Sequence, residues 1–178
     1  MRRRLLIQVL AVVALPLFAA PAFTAGEGGG GGDGGSTKCK KGEVWDKKLK
    51  KCVAPKYGML DDDNIYEAGH DLAMAGRYDE AIAVLSLAEN KQDPRILNYL
   101  GYSHRHSGRV TVGLGYYEEA LRINPDYTLV REYLGEAYLQ LGDVASAKNQ
   151  LSEIEKRCGT GCKEYTVLSD QLAKFHKA

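Results

Sequence analysis

Three glycines, Gly76, Gly108 and Gly142, each close an amphipathic stretch, and a second amphipathic stretch opens within two residues of each. From 76 to 108 is 32 residues, and from 108 to 142 is 34. No other feature constrains the fold as strongly. A helical hairpin of this length cannot bury its apolar face alone, so a fixed period of this size marks hairpins stacked on one another.

The segments 62–93, 94–127 and 128–161 align on shared positions. The middle one carries Leu97, Leu100, Gly101, Gly108, Tyr117, Ala120, Leu121 and Pro125. The third carries Leu134, Gly135, Tyr138, Gly142, Ala147, Leu151 and Ile154; the first carries Ile65, Ala68, Gly69, Leu72, Gly76, Tyr78, Ala81, Leu85 and Ala88. This order of large-apolar, Leu-Gly, aromatic, Gly, Ala, aromatic, Ala and Pro positions resembles the tetratricopeptide repeat. The resemblance implies an all-α fold: a right-handed α-solenoid of three helical hairpins over residues 60–161, then a capping helix over 162–178. It also implies a module that binds proteins rather than an enzyme.

Gly69, Gly101 and Gly135 fall inside helices despite costing about 1 kcal/mol against alanine, which suits places where two helices of a hairpin cross closely. Ala81 and Ala147 do the same from the partner helix. Gly113 holds that place in the middle repeat, so its second helix is expected to be the loosest. Arg131 stands at the first large-apolar position of the third repeat, and His104 replaces an aromatic in the second. The first repeat is two residues short, to be absorbed near Asp93-Pro94. Residues 162–176 put Tyr165, Leu168, Leu172 and Phe175 on one helical face, with Lys163, Glu164, Asp170, Lys174 and Lys177 free to form a polar outer side.

The front of the chain is different. Arg2–Arg4 precede an apolar run from Leu5 to Ala20, and Ala20-Pro21-Ala22 offers a small-x-small cleavage site, the layout of a secretory signal peptide over 1–22. The run is shorter than a membrane span and Pro16 interrupts it, so no stable span is expected after cleavage and a periplasmic location is. Residues 23–36 are mostly glycine and read as a flexible tether. Residues 37–56 hold eight lysines against Glu43 and Asp46, a net +6, whereas 57–178 hold 13 Lys/Arg against 19 Asp/Glu, a net −6. A basic module therefore precedes an acidic stack; a weak contact of that module with a glycan or an anionic surface is its functional alternative. Nothing points to nucleic acid.

Four cysteines in an exported chain suggest disulfides, with three possible connectivities. Spacing favours local pairs. Cys39 and Cys52 would close a short hairpin in which Trp45 covers the bond or, alternatively, contacts a sugar. Cys158 and Cys162 flank Gly159-Thr160-Gly161 and would staple the cap to the third repeat. The rival for that pair is a thiol-redox or metal site.

No nucleophile, metal cluster or cofactor signature is present among the four histidines and their sequence neighbours. Asp61-Asp62-Asp63-Asn64 lacks the loop glycine and distal glutamate of a calcium loop and reads as helix capping. What the resemblance does supply is a groove along the first helix of each repeat. Its positions here are Tyr66 and His70; Arg95, Asn98, Tyr99, Tyr102, Arg105 and His106; and Glu132, Tyr133 and Glu136. The partner implied is a protein or peptide segment. Some family members grip a terminal carboxylate with a lysine-asparagine clamp, and Tyr66 and His70 depart from it at two of its places.

Overall fold

The computed structural model describes residues 39–46, 48–56 and 60–175. The leader and tether expected over 1–36 lie outside the described residues, as do His176, Lys177 and Ala178. A two-stranded antiparallel hairpin, β1 (Val44–Asp46) and β2 (Lys51–Val53), precedes seven helices: α1 (Asp62–Met74), α2 (Tyr78–Leu85), α3 (Pro94–His106), α4 (Val110–Ile123), α5 (Thr128–Gln140), α6 (Val144–Cys158) and α7 (Lys163–Phe175). Helices pair as α1/α2, α3/α4 and α5/α6, each pair contacting the next, and α7 packs on α5 and α6. Among the described residues no helix is long and apolar enough to cross a membrane.

The period has a local cause. Gly142 adopts φ +78°, its N–H donates to the Leu139 carbonyl at 3.0 Å, and the Asp143 N–H donates to the Tyr138 carbonyl at 2.8 Å. That is the Schellman arrangement, which turns the chain out of a helix through a left-handed residue. Gly76 and Gly108 repeat it. A Cβ at Gly142 would meet nothing within 4 Å, so Gly142→Ala carries only the left-handed penalty. It is expected to lower stability by about 1 kcal/mol, read as a fall of about 3 °C in thermal midpoint; an unchanged midpoint would show that the turn does not hold that conformation.

The shortfall of repeat one is not absorbed at Asp93-Pro94 alone, the place expected from the sequence: α2 has 8 residues where α4 has 14 and α6 has 15, and a longer connection from Leu85 to Pro94 makes up most of the difference. The Asp62 carboxylate accepts the N–H groups of Glu89 and Asn90, both at 2.8 Å, closing the connection after α2. Asp61 accepts from the Asn64 N–H at 2.9 Å and Asp93 from that of Arg95 at 2.8 Å, so both cap helices.

A Cβ on Gly69 would collide with Leu85 of α2, and one on Gly101 with Tyr117 of α4. These are crossings within a hairpin, as expected. Gly135 differs: its notch receives Leu168 of α7, not a residue of α6. The expectation of a loose α4 is overturned. A Cβ on Gly113 would lie 2.8 Å from the Gly101 carbonyl oxygen, so the two backbones touch where both side chains are missing. Arg131 is buried without an apolar partner role: its Nη2 donates to the Pro125 carbonyl at 2.8 Å and its Nη1 to Gln150 Oε1 at 3.1 Å.

Three apolar clusters run in series, each shared between a hairpin and the helix after it. Leu72, Ala81 and Leu85 meet Ile96 and Leu100; Leu97, Tyr117 and Ala120 meet Val130, Leu134 and Ala137; Leu139, Ala147 and Ile154 meet Leu168 and Leu172. The last pairing makes α7 the cap. Leu168 and Leu172 are buried, but Phe175 is exposed and does not complete the expected face.

The basic module is built into the first repeat rather than standing apart. Val44, 1 % exposed, and Leu60 join the cluster of α1 and α2, and the Gly42 N–H donates to Glu80 Oε2 at 3.0 Å. Cys39 and Cys52 are disulfide-bonded, and Trp45, half-buried, pairs with Cys52 across the strands. A hairpin of this size is marginal by itself; burying Val44 and closing the disulfide let it cover the open end of α1/α2.

Candidate functional site

The first helices of the repeats, α1, α3 and α5, bring most of the expected groove residues into one aromatic row. Ring centroids of Tyr66 and Tyr99 are 5.8 Å apart, His70 and Tyr99 4.8 Å, Tyr99 and Tyr102 6.1 Å. Tyr102 continues to His106 at 4.2 Å and to Tyr133 at 5.1 Å. Positions four residues apart share a helix face, and the stack aligns those faces from one hairpin to the next. Tilted and edge-on rings at these distances are mutually attractive.

Charges are set into the row. Arg95 lies 4.9 Å over the Tyr66 ring and pairs with Asp93 at 2.6 Å and Asp63 at 2.8 Å. Arg105 sits between the rings of Tyr102 and Tyr133, 5.6 and 5.8 Å from their centroids, and donates to Glu136 Oε2 at 2.6 Å. Gln171 of α7 donates to the other Glu136 oxygen. Burial pushes the phenols of Tyr99, Tyr102 and Tyr133 up, so all three carry their protons at neutral pH. Partial desolvation by the surrounding rings, with Arg105 nearby, holds His106 below its ordinary value.

Depth divides the residues. Tyr66, His70, Arg95, Tyr102, His106, Tyr133 and Glu136 keep access to solvent, whereas Asn98, Tyr99, Arg105 and Glu132 are buried beneath them. Asn98 is fully buried, and both its side-chain polar atoms lack a hydrogen-bond partner among the described residues, as does Glu132 Oε2. Burial, then the like charges of Glu136 and Glu164, pushes the Glu132 carboxyl up to about 7.

Two regions extend the site beyond the sequence-derived set. Tyr78, from α2, stacks on His106 at 5.3 Å; its place just after the helix-closing Gly76 was the available signal. At the far end, Leu139, Gln140, Gln171, Lys174, Phe175 and Glu136 line a cavity of about 690 Å³ between α5 and α7. There the exposed Phe175 extends the row's apolar character beyond the third repeat. Cys158 and Cys162 are joined by a disulfide, and among the described residues no cysteine is free. In this form the pair, although close to Glu164, offers no thiolate to a metal.

Two family models described as "Tetratricopeptide repeat" match residues 66–128 and 104–157. No curated protein matches. Among solved structures, the chain is similar to the first TPR of Spaghetti (RPAP3) bound to HSP90 peptide SRMEEVD, at 18% identity and a TM-score of 0.58, covering 68% of this chain and 94% of that one. It is similar to PcrH in complex with the chaperone binding region of PopB, at 19% identity and 0.55, covering 67% and 99%. It is also similar to the Yersinia enterocolitica type III secretion translocator chaperone SycD, at 20% identity and 0.57, covering 66% and 87%.

Proposed function

We propose that this chain, which belongs to the tetratricopeptide repeat family, is a non-enzymatic interaction module that holds a peptide or protein segment against α1, α3 and α5. The observation that carries this reading is the aromatic row from Tyr66 to Tyr133, with Arg95, His70 and His106 set along it. Tyrosine and arginine concentrate binding energy because they combine large contact area with hydrogen bonding. Here their rings are already held against one another before any partner arrives, which reduces the ordering that binding must impose. Similar folds seated on an HSP90 peptide and on a region of PopB support a groove occupant of peptide kind. The leader expected over 1–22 supports action in the cell envelope, where the two disulfides would persist.

Site-specific photocrosslinking in the native envelope tests the reading. Probes at 102 and 133 are expected to capture the same partner, and a probe at the exposed Lys148 on α6 is not. Tyr102→Ala and Tyr133→Ala are each expected to weaken that partner's binding roughly tenfold to thirtyfold. Equal capture from position 148, or undiminished binding by both variants, removes the groove from the mechanism.

A further inference from the structure

We propose that the tip of the N-terminal hairpin docks onto anionic lipid bilayers, with Leu49 entering the interface and the surrounding lysines meeting the phosphate headgroups. The tip is a fixed structure. The Asp46 carboxylate, itself buried, accepts the N–H groups of Lys48 at 2.8 Å and Leu49 at 2.9 Å, and Lys50 turns through φ +50° to start β2. At its other end the hairpin is anchored by the Cys39–Cys52 bond and by Val44 in the first-repeat core.

This rigid arrangement presents a leucine to solvent. Leu49 is 55% exposed, more than any other large apolar residue among those described. Exposed lysines flank it: Lys48, whose amine reaches Asp61 at 2.6 Å, and Lys50 and Lys51, which form no ion pair among the described residues. Trp45 lies outward on β1, half-buried. An apolar side chain among cations, with an indole on the adjoining strand, is the composition of an interfacial membrane contact. A soluble polyanion would use the lysines and leave Leu49 without a purpose, so the bilayer accounts for more of the surface. The charge division gives the contact a direction. Residues 57–178, at net −6, are repelled by an anionic surface, so the protein meets it hairpin first.

Flotation of the full chain with vesicles tests this, using an equimolar mixture of phosphatidylglycerol and phosphatidylcholine against phosphatidylcholine alone. The apolar run at 5–20 and Arg2–Arg4 belong to every variant, so the readout is the difference between variants. Lys50→Gln/Lys51→Gln is expected to weaken binding to the anionic vesicles roughly thirtyfold, about fivefold per lysine, and Leu49→Ser by at least severalfold. Trp45 is the only tryptophan, so its emission should shift to the blue with anionic vesicles and cease to shift when Leu49→Ser, Lys50→Gln and Lys51→Gln are combined. Binding unchanged by these substitutions overturns the proposal. So does binding to soluble dextran sulfate as tight as to vesicles with Trp45 emission unmoved, which would make the surface a reader of charge alone.

Discussion

Arg105→Met is expected to lower the free energy of unfolding by about 3–5 kcal/mol, the cost of breaking a buried ion pair from one side. The Arg105 side chain is 2% exposed and that of Glu136 12%, with 2.6 Å between Nη2 and Oε2. Methionine keeps most of the stem that packs between Tyr102 and Tyr133, so lost packing is a small part of the effect. What remains is a Glu136 carboxylate whose only described donor is Gln171, one helical turn from the buried Glu132. Chemical denaturation of four proteins checks this: wild type, Arg105→Met, Glu136→Gln and the double variant. The double variant is expected to regain about 2 kcal/mol over the arginine substitution alone, because the stranded charge is gone. Simple additivity would show instead that Arg105 acts through its stem. The same substitution is expected to weaken groove binding, since Tyr102 and Tyr133 lose the cation that spaces their rings.

That ion pair illustrates what was legible in the sequence. Helical period and small residues are local signals, so the three hairpins and their glycine turns could be read directly, whereas the stripe of groove positions came from the resemblance to the tetratricopeptide repeat. Depth is not local. Arg105 and Glu132 occupy stripe positions like those of His106 and Glu136, and only the next helices in the stack decide which are covered. Gly113 misled for a similar reason: a missing side chain loosens a helix unless the opposing residue is also glycine, as Gly101 is. The docked hairpin was hidden because few apolar residues anchor it, buried Val44 and partly buried Val53, within a lysine-rich segment whose charge dominated the reading. Arg131 fits an apolar place because its guanidinium is satisfied there by the Pro125 carbonyl, which Arg157 also reaches at 2.9 Å, and by Gln150.

Glu132→Gln is expected to stabilise the protein above neutral pH and to do little below pH 5. Glu132 is 5% exposed, and its carboxyl is pushed from a usual 4.5 up to about 7. Burial is the main cause, with Glu136 and Glu164 adding repulsion that Lys163 and Arg105 only partly offset. A carboxyl whose pKa is higher folded than unfolded binds its proton more tightly in the native state, so its contribution to stability is fully present below about 4.5 and is lost as pH rises through about 7. At about 1.4 kcal/mol per pH unit between about 4.5 and about 7, the full loss is about 3–4 kcal/mol. His104 and His106 work in the opposite direction. Both are held below their ordinary value in the folded state, His104 chiefly by burial, so their contribution grows as pH rises through that of the unfolded imidazole. The wild-type profile is therefore a sum of opposed slopes, and the informative quantity is the difference between Glu132→Gln and wild type. Urea midpoints measured from pH 4.5 to 8.5 should give a difference near zero at the acid end that rises to its full value near pH 8. A difference constant with pH would mean that Glu132 ionises as an ordinary surface carboxylate. The proton also bears on binding: below pH 6 the groove floor carries one negative charge fewer, so a partner that inserts a cationic side chain over Glu132 should bind more weakly there, and Glu132→Gln should weaken it relative to wild type only above about pH 7.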